Sequence, residues 1–191
     1  MRKTLIGLAL VLVAFPAGAQ NTDAQSKEQQ KKAEQAKQDQ IRAENWAYCT
    51  GDDANLRIKG CGAVIEAGSE SMTSLAVAYN NRGIAYNGKG KYDLAIDDYT
   101  KVIGFEPNNG DAYINRAWAY HLKGDDTNAL TDANKAVGLA PRNAGIVETR
   151  AEIYEKLGQR DQAIADYRTA LQLDRDDAQS QQGLRRLGVA P

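Results

Sequence analysis

The apolar and polar positions divide the chain into parts with different patterns. Residues 5–15 form an almost unbroken apolar run, and residues 20–44 are almost entirely polar. Farther along, apolar residues recur at the three- and four-residue spacing of one helix face, as Ile96, Tyr99 and Ile103 do. This spacing predicts helices that bury such residues in a core, and therefore an all-α fold for most of the chain.

The helical part of the sequence repeats itself at a fixed period. Residues 76–109, 110–143 and 144–177, written in register, share the same residue at five positions. These positions hold Tyr86, Tyr120 and Tyr154; Gly90, Gly124 and Gly158; Ala95, Ala129 and Ala163; Arg82, Arg116 and Arg150; and Asp98, Asp132 and Asp166. A fixed period of about 34 residues is typical of stacked helix-turn-helix units. The sequence therefore predicts three such units.

Small residues predict how the two helices of a unit meet. Residues that share a position in the three repeats are called a column, and one column holds the alanines Ala95, Ala129 and Ala163. Each of these alanines follows a small residue by the same number of positions, and these small residues are Gly83, Ala117 and Ala151. Helices cross closely only where side chains are small, so each pair predicts a contact within a unit. The glycine column suits a helix end that needs positive φ, and Pro107 and Pro141 follow the second helix, where proline stops a helix.

These units resemble tetratricopeptide repeats. A bulky aromatic residue (Tyr79, Tyr113) precedes the small residue, the tyrosine, the alanine and the closing proline, as in that family. Val147 and Arg175 depart from the pattern in the last repeat. The resemblance implies a right-handed superhelical array of antiparallel helix pairs, a tetratricopeptide-like α-solenoid. Residues 178–191 resemble the capping helix and tail that end such arrays.

The first residues have the composition of an export signal. Arg2 and Lys3 precede the apolar run, and residues 17–19 supply the small side chains of a cleavage site. The run is shorter than the roughly 20 residues that span a bilayer. We expect residues 1–19 to be a signal peptide cleaved near Ala19, and the mature chain to be periplasmic or secreted without a membrane anchor.

Residues 20–44 form a polar arm between the signal and the repeats. The segment is rich in Gln and charged residues and has few apolar ones, namely Ala24, Ala33, Ala36, Ile41 and Ala43. These apolar residues do not recur with the seven-residue period of a coiled coil, so we interpret the arm as a solvated helical linker. The alternative is a short oligomerisation arm.

The two cysteines predict a disulfide. Cys49 lies one repeat period before Gly83, and Cys61 lies one period before Ala95, in a degenerate unit over residues 45–75. Residues 53–67 would be its second helix. Both thiols thus fall where two helix backbones nearly touch, and a pair of cysteines in an oxidising compartment is usually bonded.

The chain offers no candidate catalytic or metal site. Residues 83–90 imitate a phosphate-binding loop but lack its final Ser or Thr and fall within a predicted helix. His121 is the only histidine, so neither a metal cluster nor a nucleophile relay can be assembled. The net charge of −1 lacks the basic excess of nucleic-acid binders. We expect no enzyme, no cofactor and no nucleic-acid partner.

The arginine and aspartate columns have two interpretations. Each of these arginines is followed by an Asp at the same separation along the chain. The Asp could neutralise the Arg, which favours ion pairs between helices. The alternative is a row of arginines that holds an acidic partner.

The resemblance also implies where a partner binds, because the first helices of such repeats line a concave groove. The positions that it implies are Asn80, Asn81, Ile84, Asn87, Asp111, Ile114, Asn115, Trp118, His121, Glu148, Glu152 and Glu155. Along this groove the side chains would change from amides, through Trp118, to carboxylates. The carboxylates favour a basic peptide or protein as the partner. The alternative for the acids is a solvated helix face.

One class of family ligand does not fit these positions. Members that bind acidic C-terminal tails carry a clamp of Lys, Asn and Arg along the groove. Asn81 and Asn115 match the clamp, but Asn80, Gly145 and Thr149 stand at its cationic positions. A terminal carboxylate would lose its charge-assisted hydrogen bonds there.

Together these features predict a non-catalytic scaffold of the bacterial cell envelope that binds a peptide segment or a partner protein in the groove. The alternative function is self-association through the polar arm and the open ends of the array, which would make the chain a homo-oligomer.

Overall fold

The computed structural model of the protein describes the backbone of residues 18–191 and the side chains of residues 23–191. Most of the predicted signal peptide, residues 1–17, lies outside the described residues. The described part holds helices and no strand. The helices are α1 (Gly18–Thr50), α2 (Ala54–Ala67), α3 (Met72–Gly88), α4 (Tyr92–Phe105), α5 (Gly110–Lys123), α6 (Asp126–Leu139), α7 (Ala144–Lys156), α8 (Arg160–Leu173) and α9 (Ala178–Arg186). The predicted all-α fold is confirmed.

The chain divides into two compact units, Met1–Ile41 and Arg42–Pro191. In the described part of the first unit, helical residues 23–41 have exposed side chains. Ion pairs one helical turn apart, such as Lys27–Asp23 at 2.9 Å, lie along its surface and add only a few tenths of a kcal/mol each. Among the described helices, none is long and apolar enough to cross a membrane.

The second unit is a series of helix pairs. The helix α3 packs on α4, α5 on α6, and α7 on α8, while α9 packs on the last pair. Neighbouring pairs also meet through their first helices, α3 with α5 and α5 with α7. These contacts between consecutive pairs are those of an α-solenoid, and α9 stands where the capping helix was expected.

Local sequence signals explain where these helices begin and end. The side chains of Asn109 and Asn143 accept hydrogen bonds from backbone N–H groups of the first turns of α5 and α7, which satisfies groups that a helix start leaves unpaired. Gly124 ends α5 with φ +89°, a conformation that costs glycine little and other residues much.

The arginine and aspartate columns form ion pairs within each helix pair. In the middle pair, Arg116 Nε and Nη2 donate to the two carboxylate oxygens of Asp132 at 2.7 and 3.0 Å. The same bidentate pair of hydrogen bonds joins Arg82 with Asp98 and Arg150 with Asp166. The structural interpretation of these columns is therefore confirmed, and the arginines are engaged inside the fold.

The cysteines join the end of α1 to α2. Cys49 and Cys61 are both buried and form a disulfide, with Cα atoms 4.5 Å apart. Gly60 permits this approach, because a Cβ there would lie 2.5 Å from the carbonyl oxygen of Asn45. Asp53 caps α2 by accepting from two backbone N–H groups, so the degenerate unit has the helix that the sequence predicts.

Candidate functional site

The first helices of consecutive pairs line two clefts. The amide of Asn115 on α5 donates to Asn80 on α3 at 3.2 Å, which ties the two helices together. The smaller cleft, of about 160 Å³, lies between them and is called the α3–α5 cleft. It is lined by Ala76, Val77, Asn80, Val102, Glu106, Asn109 and Asp111.

The larger cleft, of about 510 Å³, lies between α5 and α7 and is called the α5–α7 cleft. Its lining residues are Asp111, Ile114, Asn115, Trp118, Asn143, Gly145, Ile146, Glu148, Thr149, Glu152 and Gln179. Asp111 lines both clefts, so the two adjoin at the start of α5, and together they are called the groove.

Trp118 forms the aromatic wall of the α5–α7 cleft. It is half-buried, and it packs on the core that Ile114, Ala117 and Ile153 help to form. The imidazole ring of His121 lies 5.6 Å from the Trp118 ring, tilted by 42°. An aromatic ring that lines a cleft is a surface on which an apolar or cationic group can pack.

The charged side chains that line the α5–α7 cleft are acidic. Asp111, Glu148 and Glu152 line it, and none of its described lining residues is Lys or Arg. Burial raises the pKa of Glu148 to about 7, and the nearby charges of Glu152 and Asp177 act in the same direction. A hydrogen bond from Thr149 and the charge of Arg186 oppose this shift in pKa only in part.

Raising the pH is expected to reduce stability through Glu148. The pKa of this carboxyl is about 7 in the folded chain and near its ordinary 4.5 in the unfolded chain. The unfolded state therefore ionises first, so the stabilising contribution is fully present below about pH 4.5 and is lost as the pH rises through about 7. We expect Glu148→Gln to be more stable than the wild type at pH 8 by on the order of 1–2 kcal/mol in urea unfolding.

The difference between Glu148→Gln and the wild type should disappear near pH 4.5. The matched control is Glu66→Gln, which removes an exposed carboxylate on α2 and should change little at either pH. A Glu148→Gln variant that is less stable than the wild type at pH 8 would contradict this account.

The structure brings together some of the residues predicted for the site. Ile114, Asn115, Trp118, Glu148 and Glu152 line the α5–α7 cleft, and Asn80 lines the α3–α5 cleft. On α3, Ile84 is 41% exposed, whereas Asn81 and Asn87 are half-buried. The Asn87 Oδ1 atom is buried and has no hydrogen-bond partner among the described residues.

Two predicted residues are engaged within the fold. The carboxylate of Glu155 accepts from Arg186 Nε and Nη2, both at 2.9 Å, and from the Tyr167 hydroxyl at 2.6 Å. His121 Nδ1 lies 2.9 Å from Asp126 Oδ1. Glu155 therefore links α7 to α9 through an ion pair. It does not line the α5–α7 cleft, so its contacts are structural.

Three lining residues of the α5–α7 cleft were not anticipated from the sequence, namely Asn143, Ile146 and Gln179. Gln179 lies one repeat period after Gly145 and two periods after Asp111, in the same column of the repeat. Extending the period into the capping helix would have placed it at the groove. Within the described residues, no group of three or more His, Cys, Asp and Glu could hold a metal ion.

Comparison with known proteins agrees with this architecture. Sequence models of the tetratricopeptide repeat match residues 76–109, 110–143 and 146–177, which together make up more than half of the chain. A search of the curated proteins finds no match.

Solved structures of tetratricopeptide domains superpose on the chain. The first such domain of Spaghetti (RPAP3), bound to the HSP90 peptide SRMEEVD, is 31% identical; the match covers 59% of this chain and 90% of that chain, with a TM-score of 0.55. The second domain of human RPAP3, in complex with the HSP70 peptide SGPTIEEVD, is 26% identical, with coverage of 62% and 98% and a TM-score of 0.56. MamA is similar in fold, at 18% identity, coverage of 71% and 77%, and a TM-score of 0.59. The chain therefore belongs to the tetratricopeptide repeat family.

Proposed function

We propose that this chain is a non-catalytic interaction scaffold of the bacterial cell envelope that binds a peptide segment or partner protein along α3, α5 and α7. The α5–α7 cleft carries the proposal, because it presents the half-buried Trp118 beside buried and half-buried carboxylates on a packed core. Aromatic residues at the centre of a water-excluding surface contribute most of the binding energy in many interfaces.

The solved structures support binding of a peptide by this fold. Two tetratricopeptide domains that are 31% and 26% identical to the chain hold the peptides SRMEEVD and SGPTIEEVD. Both peptides end in the acidic sequence EEVD. The groove of this chain has the opposite preference in charge, since carboxylates rather than cations line its larger cleft.

Acidic tails are therefore expected not to bind. In an isothermal titration at low salt, the peptide SRMEEVD should give no measurable heat of binding with this protein. The reason is that Gly145 and Thr149 line the α5–α7 cleft where a cation would be needed, while Glu148 and Glu152 repel a carboxylate. The domain of RPAP3 bound to this peptide is the positive control. Salt-sensitive binding to this chain would contradict the proposed ligand preference.

The export of the chain is part of the proposal and rests on the composition of residues 1–19. The native protein should have an N-terminus near Gln20 and no lipid. Measuring its intact mass tests this, and a mass that includes residues 1–19 would count against the periplasmic or secreted location.

The proposed scaffold function is tested with a photo-crosslinking residue placed at single sites in cells. At Ile84, which is 41% exposed on α3, we expect a covalent adduct with another protein. The matched control is Lys101, which is exposed on the second helix α4 and should give none. Equal adducts from both sites would contradict binding in the groove. Adducts formed only between copies of the chain would favour the alternative of self-association.

A further inference from the structure

We propose that the α5–α7 cleft receives one lysine or arginine side chain of the bound segment, with Glu148 as its counter-ion and Trp118 as its packing surface. This inference rests on the proposed function, since it names the chemistry of the ligand in the same groove.

The first reason is that Glu148 differs from the other buried carboxylates of the fold. Asp98, Asp132 and Asp166 are 3%, 6% and 8% exposed, and each is held by two hydrogen bonds from an arginine. Glu148 is 7% exposed. Its one hydrogen bond comes from the Thr149 hydroxyl at 3.4 Å, and no ion pair among the described residues includes it.

A buried carboxylate without a counter-ion is costly, because a charge loses its hydration when it leaves water. Among the described residues, arginines pair with three buried aspartates, but no arginine pairs with Glu148. Since Glu148 lines the α5–α7 cleft, a cation entering the cleft from outside would supply the missing partner.

The second reason is the negative charge that α5, α7 and the start of α9 place around Glu148. Asp111 lies in the first turn of α5, Glu152 lies one turn along α7, and Asp177 caps the start of α9. Among the described residues, Arg186 is the cation whose charge opposes the rise in the pKa of Glu148. Its guanidinium already donates to both oxygens of Glu155 at 2.9 Å.

The third reason is that the apolar lining suits a long cationic side chain. Lys and Arg have aliphatic stems that pack on apolar groups while the charged end reaches a polar group. Ile114 and Ile146 are buried residues of the cleft, and Trp118 adds an aromatic ring to its lining, which is a group that attracts cations. A carboxylate-bearing or purely apolar side chain would use only part of this lining.

The affinity for such a ligand should depend on pH near neutrality. The pKa of Glu148 is about 7 before binding, and a cation beside it would lower this pKa. Binding below about pH 7 therefore releases a proton and is weaker. We expect the affinity to rise between pH 6 and pH 8.

The test is a selection from a random peptide display library on the full mature chain at pH 8. The wild type is expected to enrich peptides with Lys or Arg at one fixed position. A synthetic peptide of the enriched sequence should bind Glu148→Gln at least ~10-fold more weakly, and its remaining affinity should no longer rise between pH 6 and pH 8. The control Glu66→Gln, which is outside the cleft, should bind as the wild type does.

The outcomes separate this inference from the proposed function. Enrichment of peptides without a Lys or Arg preference, or equal binding by Glu148→Gln, would overturn the cation subsite and leave peptide binding intact. Failure of the folded wild type to enrich any peptide would overturn the proposed function, and the cation subsite with it. A thermal melt of each variant shows that the comparison is made between folded proteins.

Discussion

Replacing Trp118 with alanine is expected to weaken binding of the enriched peptide by ~2 kcal/mol or more, which is about 30-fold. The ring is half-buried, and it forms the aromatic wall of the α5–α7 cleft. Truncation removes the packing surface at the centre of the groove and leaves the neighbouring carboxylates more hydrated. The measurement is an isothermal titration of wild type and variant with the same peptide.

Trp118 also packs on the core between α5, α6 and α7, so some loss of stability accompanies this change. The matched control is Leu130→Ala, because Leu130 is half-buried against the same core but does not line the cleft. We expect both variants to lose about 1–3 kcal/mol of unfolding free energy, and only Trp118→Ala to lose affinity. If both lose affinity equally, or if Trp118→Ala unfolds, Trp118 is a core residue rather than a binding residue.

Replacing Arg116 with methionine is expected to destabilise the array by about 3 kcal/mol. The substitution leaves the carboxylate of Asp132, which is 6% exposed, without its two hydrogen bonds. It also removes the hydrogen bond from Arg116 to Thr100 on the preceding pair and the contacts of the guanidinium with two tyrosine rings. Urea unfolding followed by circular dichroism measures the effect.

The control for this prediction removes both partners. In Arg116→Met with Asp132→Leu, neither charge of the pair remains, and apolar side chains replace both, so at least half of the lost stability should return. A single variant as stable as the wild type would show that Asp132 does not depend on Arg116. No recovery in the double variant would show that the cost lies in packing rather than in charge.

The repeat period predicted most of the second unit because each column has one physical role. Glycine at helix ends and proline after the second helix act locally, so their positions along the chain identify helix boundaries, and small residues mark where the two helices of a unit cross. The same reasoning applies to the degenerate unit over residues 45–75, where the two cysteines keep the register of the repeats. Its helix α2 begins after Asp53, whose side chain caps it.

The site was harder to predict, because its properties depend on contacts between distant parts of the chain. The period places Glu148 in the column of Ile114 but does not show that it is buried without a counter-ion. Glu155 was predicted to be another acid of the groove, but it is bound by Arg186, which lies on α9 and farther along the chain. Such long-range partners leave no periodic pattern in the sequence.

The central claim is that a polypeptide segment binds along the first helices, and an ¹⁵N–¹H correlation spectrum tests it most directly. The chain has two tryptophans, Trp46 beside the disulfide and Trp118 in the α5–α7 cleft, so two indole signals report on two places. Adding the enriched peptide should move the Trp118 indole signal and the backbone amides of α5 and α7, and leave Trp46 unchanged. Shifts confined to α4, α6 or Trp46 would contradict the account.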